Sequence, residues 1–287
     1  MSTDKIAVGL DGVPETLLWP LYGRAAEARR RDGVLRDARA VAVADRVDYP
    51  FEERFGRPSA AFALRARCFD KYVEDFLARH PEGTVVSLGE GLETQFWRVD
   101  NGTARWLTVD LPETIEVRRK LLPDGQRRRS LACSALDLRW MDEVATENGV
   151  CVVAQGLFMY FDRAEVDRLI GACADRFPGA TLIFDTMPAW LTGGSWLRTL
   201  MMRGNRTRGD GEYRLPEMAW GTRFGELERL RALHPRIAAA RDIGFPPGRG
   251  LVFGYLNPFL GVLPVVREFR PRNFLLTIAP EPDAQRT

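Results

Sequence analysis

Histidine is nearly absent from this chain of 287 residues, and the two copies, His80 and His234, each stand before a proline. The residue before proline is pushed out of helical geometry. Both are therefore expected where helices end, which disfavours a histidine-centred triad or zinc site. The cysteines, Cys68, Cys133, Cys151 and Cys173, contain no CxxC pair and read as structural thiols, so no metal is expected. The longest apolar stretch, 251–266, is broken by Asn257, Pro258 and Pro264, and the N-terminus has no basic segment leading into an apolar run. Neither a signal peptide nor a membrane span is predicted, and a cytoplasmic protein is expected. Net charge is only +2. The arginine clusters at 118–120, at 127–129 and at Arg198, Arg203, Arg206 and Arg208 read as solvated faces, with no nucleic-acid or membrane partner expected.

What is present describes an ordinary soluble domain, with 45% hydrophobic and 28% charged residues. Runs rich in Val, Ile and Leu at 84–88, 105–110, 130–134, 150–155 and 181–185 predict buried strands, and helical segments separate them. That alternation predicts an α/β fold with a parallel, doubly wound sheet. A last strand is predicted at 273–279. Pro112 fits the first turn of a helix that Pro123-Asp124-Gly125 ends. Asp162 and Glu165 form a capping-box pattern ahead of Val166, Leu169, Ile170, Cys173 and Phe177 at helical spacing. Residues 1–80 read as a helical N-terminal extension, with helices at 15–31 and 58–79. Residues 187–225 scatter Trp190, Trp196, Tyr213 and Trp220 among glycines and arginines and read as a late insertion, a candidate substrate lid. No repeat or linker interrupts the chain, which is read as one domain over 1–287.

The first strand ends in Gly89-Glu90-Gly91, a turn whose glycines let a ligand approach the backbone. A dinucleotide fingerprint needs another glycine three residues later; Thr94 stands there, and Glu90 and Glu93 would oppose a pyrophosphate. Asp110 ends the next strand, where a carboxylate can accept both ribose hydroxyls. An adenosine ligand without phosphates, carrying a sulfonium and an ammonium, suits an acidic glycine turn, which points to S-adenosylmethionine (SAM).

The segments 65–70 (RARCFD), 88–98 (LGEGLETQFWR), 109–113 (VDLPE), 137–140 (DLRW) and 155–160 (QGLFMY) resemble, in order and spacing, the leucine carboxyl methyltransferase family, which includes methyltransferases of tetracenomycin-type polyketides. The resemblance runs from about residue 15 to the last strand. It implies a Rossmann-like class I methyltransferase fold with a mostly parallel seven-stranded sheet and SAM as cofactor. It further implies Arg65 on the SAM carboxylate, Gly89 beneath the methionine portion, Asp110 at the ribose and Asp137 with Leu138 at the adenine, with Glu90, Gly91 and Leu111 also among the cofactor-binding residues. Where the family usually has a glutamate for the SAM ammonium, this chain has Gln155, an acceptor without charge.

A carboxylate acceptor is ionised near neutral pH and needs no general base, consistent with the shortage of histidine. The expected function is O-methylation of a carboxylate on a small molecule, polyketide-like or peptide natural product. Candidate anchors for that acceptor are Arg24, Tyr160, Arg198, Tyr213, Trp220 and Arg223. The alternatives are a non-catalytic SAM-binding or partner-binding protein, prompted by Gln155, and an NAD(P)-dependent oxidoreductase, against which Thr94 argues.

Overall fold

The apolar strand runs become the centre of one sheet because both of their faces find a cover. In a computed structural model, residues 5–8, 14–192, 216–249 and 270–281 are described. A short parallel ribbon pairs β1 (Ile6–Ala7) with β2 (Val47–Asp48). The main sheet contains β3 (Thr84–Leu88), β4 (Arg105–Asp110), β5 (Arg128–Ala132), β6 (Val150–Ala154), β7 (Thr181–Thr186), β8 (Ile237–Asp242) and β9 (Arg272–Ile278), in the order β5-β4-β3-β6-β7-β9-β8. The four pairings that join β5, β4, β3, β6 and β7 are parallel, and β9 enters antiparallel between β7 and β8.

Strand alternation partitions the core. Val86, Leu88, Leu107, Val109, Val152 and Ala154 join one apolar cluster, while Val85, Trp106, Cys151, Val153 and Ile183 join another on the opposite face. The helices α1 (Leu18–Ala28), α2 (Ala38–Arg46), α3 (Phe51–Phe55) and α4 (Ala61–Arg79) form the N-terminal extension. The α4 stripe of Phe69, Val73, Phe76 and Leu77 packs on the second cluster. Each such fully buried side chain stabilises the fold by roughly 1.5–3 kcal/mol. The helices α5 (Gln95–Val99), α6 (Pro112–Leu121), α7 (Arg163–Arg176) and α8 (Glu226–Ala232) follow. Pro112 opens α6 and the Asp162/Glu165 capping box opens α7, both as the sequence predicts.

Three elements differ from the sequence reading. The 15–31 helix is a 3₁₀ turn (Pro14–Leu17) followed by α1. The strand expected at 130–134 begins two residues earlier, where Arg128 stacks over the Trp97 ring at 4.1 Å. Strand β8 had no signal, because after Ile237 the segment Ala-Ala-Ala-Arg-Asp has no branched or aromatic residue of the kind that marks strands; pairing with β9 decides its conformation. Most of the predicted insertion lies outside the described residues. No helix among the described residues is long and apolar enough to cross a membrane.

Candidate cofactor and acceptor site

Strand order reverses between β3 and β6, and the loops leaving their carboxyl ends flank the crevice where such sheets bind ligands. After β3, Gly89 and Gly91 both take positive φ, +59° and +54°, which strongly favours glycine. The surrounding protein demands it too. A β-carbon on Gly91 would lie 2.9 Å from Cβ of Leu17, and one on Gly89 would lie 2.7 Å from Leu157. Asp110 closes the turn from β4, accepting from the Gly91 N–H at 2.7 Å and the Leu111 N–H at 2.8 Å. Burial raises the Asp110 pKa, opposed by those two N–H groups.

The two glutamates of the turn do not leave it acidic. Glu90 is buried on Trp106, Thr108 and Arg118, with the Arg118 Nη2 at 3.0 Å, and burial raises its pKa. Arg118 also donates to the carbonyls of Gly91 and Glu93 at 2.7 and 2.9 Å, so it staples the turn from below. Glu93 receives Arg24 Nη1 and Arg98 Nη1, both at 2.8 Å. Burial would raise the Glu93 carboxyl, but Arg24 and Arg98 more than offset that and hold it at about 2.

Arg98 is the centre of a buried ionic cluster. It forks onto Asp70 of α4 at 2.7 and 2.9 Å and reaches Asp37 at 2.6 Å. Asp37 in turn caps α2 through the Ala40 N–H and accepts the Thr94 hydroxyl. The N-terminal helices are thus bonded to the glycine turn through charges away from solvent, where a missing partner is costly.

Above these groups lies a cavity of about 470 Å³. One part is bordered by the turn, Asp110, Leu111, Ser134 and Ala135; another by Trp19, Phe62, Met159, Tyr160, Met187 and Met218. Among its lining side chains, Arg65 and Gln155 carry buried polar atoms without a hydrogen-bond partner, Nε and Oε1, as does Arg24 at Nε beside Asp37; the first two are set apart by having no such ion pair at the orphaned atom. One is a donor bearing positive charge and the other a neutral acceptor. That complement fits the carboxylate and ammonium of an amino-acid tail.

A family model described as leucine carboxyl methyltransferase matches residues 18–174. The chain is 30% identical over 254 residues to the tetracenomycin polyketide synthesis O-methyltransferase TcmP of Streptomyces glaucescens, across 85% of this chain and 92% of that one. The chain belongs to the leucine carboxyl methyltransferase family. It is a SAM-dependent O-methyltransferase, and the nicotinamide alternative falls with that assignment. It is also 31% identical over 192 residues to the S-adenosyl-L-methionine-dependent methyltransferase dpfgK of Gibberella zeae, across 61% of this chain and 64% of that one. A DUF574 family protein from Streptomyces avermitilis superposes with a TM-score of 0.50 at 11% identity, covering 76% of this chain and 84% of that chain, a likeness of fold alone.

Within this methyltransferase, the residues predicted for the cofactor and acceptor divide. Arg65, Gly89, Glu90, Gly91, Asp110, Leu111 and Gln155 all border the cavity. Asp137 and Leu138 do not; Ser134 and Ala135 form that wall, and the Asp137 carboxylate caps a 3₁₀ turn while holding the Arg139 guanidinium. Among the acceptor candidates, Tyr160 borders the cavity. Arg24 borders it too, but its guanidinium is committed to Glu93 and the Leu92 carbonyl. Trp220 is a core residue under Arg163, and Arg223 is exposed away from the cavity. Arg198 and Tyr213 lie outside the described residues. Sequence reading missed Arg98, Arg118 and Asp185. Arg98 was visible as the last residue of the quoted motif, and Asp185 as the end of a predicted strand, but nothing in either signal names a partner.

Proposed function

We propose that this methyltransferase esterifies a carboxylate on a small, largely apolar organic acid, of the polyketide-like or peptide natural-product kind. The observation that carries the reading is the character of the cavity. Among the described residues its acidic side chains are Glu90, Glu93 and Asp110, each already engaged by arginines or backbone N–H groups, and no histidine borders it. A hydroxyl acceptor needs a base to take its proton; a carboxylate arrives ionised and needs none. The acceptor wall of Trp19, Phe62, Met159, Met187 and Met218 suits an apolar body and excludes water from an anionic oxygen, which strengthens it as a nucleophile. TcmP, similar over most of both chains, is by name a polyketide O-methyltransferase.

In this reading Arg65 holds the SAM carboxylate, Gln155 Oε1 accepts from its ammonium, Asp110 takes the ribose hydroxyls, and Leu111, Ser134 and Ala135 flank the adenine. When bound, the cofactor supplies a methyl on a positively charged sulfur that departs as a neutral thioether. The task of the chain is to align the acceptor oxygen with that methyl. Gln155 Nε2 donates to Glu93 Oε2 at 2.9 Å, which orients the amide and leaves Oε1 as the neutral acceptor where the usual glutamate would stand.

The test is a panel of matched aromatic and aliphatic acids and alcohols incubated with methyl-labelled SAM. Label that mild alkali releases as methanol marks an ester and supports the proposal. Alkali-stable label on hydroxyl acceptors, with acids unreacted, ends it.

A further inference from the structure

We infer that Asp185 is a positioning residue that sets how Arg65 meets the donor carboxylate, resting on the reading that Arg65 takes that carboxylate. Asp185 is the penultimate residue of β7, just beyond its parallel pairing with β6, and is buried. One of its oxygens accepts from Arg65 Nη1 at 2.9 Å, and the other accepts from the Gly156 N–H. Gly156 has φ +74°, which favours glycine, and a β-carbon there would lie 2.9 Å from Arg65 Nη1 and push the guanidinium from its place. The guanidinium also lies over Phe62, 5.7 Å from the ring centroid.

These contacts assign the edges of the guanidinium. Nη1 is spent on Asp185, while Nε finds no acceptor in the protein. The edge formed by Nε and Nη2 is the one left for a carboxylate, and it is a two-donor edge suited to bidentate contact. The same Asp185 fixes Gly156, the neighbour of Gln155, whose unsatisfied Oε1 is the site's ammonium acceptor. A single carboxylate outside the ligand shell thereby fixes the spacing between the two halves of an amino-acid receptor. A carboxylate beside a guanidinium also weakens its pull on an anion. Orientation wins here because an unpinned arginine must lose several rotatable bonds to make the same two-point contact.

The experiment compares binding of S-adenosylhomocysteine with that of its decarboxylated analogue, S-adenosyl-3-thiopropylamine, by calorimetry on wild type, Asp185→Asn and Arg65→Ala. The ratio of the two affinities is read within each variant, so any loss of folded protein cancels. Wild type is expected to prefer the carboxylate ligand; Arg65→Ala abolishes the preference, and Asp185→Asn reduces it about tenfold while leaving the decarboxylated ligand nearly unaffected. Asp185→Glu, which keeps the charge but displaces the guanidinium, reads the same ratio should the asparagine variant fail to fold. A preference that is unchanged or larger in the Asp185 variants while lost in Arg65→Ala overturns the positioning role and leaves Arg65 in place. A preference unchanged in Arg65→Ala overturns the underlying assignment of Arg65 itself.

Discussion

The two parts of the cavity are built on opposite principles. Beneath the glycine turn nearly every polar group has an assigned partner: Asp110 with two backbone N–H groups, Glu90 with Arg118, and Glu93 with Arg24 and Arg98. The wall opposite is made of Trp19, Phe62 and the methionines Met159, Met187 and Met218. Charged hydrogen bonds are directional and fail abruptly when one partner is removed, whereas methionine adapts its shape at small cost. In the proposed reading, donor binding is therefore rigid and acceptor binding plastic.

The largest break in that contrast is Arg98→Met. It leaves Asp37, Asp70 and Glu93 with too little positive charge, and it should cost about 3–5 kcal/mol of stability in urea unfolding. It should also change the acid limb. Because the Glu93 pKa is held below its ordinary 4.5, at about 2, its stabilisation is complete above 4.5 and drains as pH falls toward 2. Losing one of its two guanidiniums should move that loss to higher pH. If Arg98→Met unfolds like wild type, the cluster is not what joins the N-terminal helices to the turn.

Asp110→Asn should come next, weakening S-adenosylhomocysteine binding by about 1.5–3 kcal/mol with acceptor KM little changed. Because burial raises the Asp110 pKa above its ordinary 3.8, wild-type cofactor affinity should fall on acidification earlier than an exposed aspartate would allow. The asparagine variant should lose that dependence. Gln155→Glu sharpens the contrast from the other side. It restores the usual family residue but sets a second carboxylate against Glu93, 2.9 Å from the present amide nitrogen. Cofactor affinity should not improve, and thermal stability should fall by about 1 kcal/mol. A clear gain in affinity would show that the site tolerates a second carboxylate beside Glu93 and that the ammonium prefers it to the amide. Met218→Leu should cost under about 1.5 kcal/mol and move KM among acceptors of different shape, with cofactor affinity unchanged, the smallest expected effect on the cofactor. An effect on cofactor affinity as large as that of Asp110→Asn would erase the distinction between rigid and plastic parts.

The legible parts of the molecule are those whose cause is local. Pro112, the Asp162/Glu165 box and the apolar runs of β3, β4, β6 and β7 fix their elements through backbone preference and nearest neighbours. The glycine turn and Asp110 were readable because they sit at fixed distances along the chain. Illegible were the partners. Glu93 and Arg24 are 69 positions apart, and Arg65 and Asp185 are 120 apart. Nothing along the chain told that the acidity of Glu90 and Glu93 would be cancelled, or that Arg24 would be spent inside the protein.

By itself, then, the sequence determined the sheet's central strands, the family, the cofactor and the positions of the glycine turn and of Asp110, because these follow from local spacing and residue type. Only the tertiary structure decided which charges face the ligand and which face each other. That choice is made by desolvation and long-range pairing: burial makes each unpaired charge too costly to leave, and the folded chain alone determines which opposite charge comes within reach.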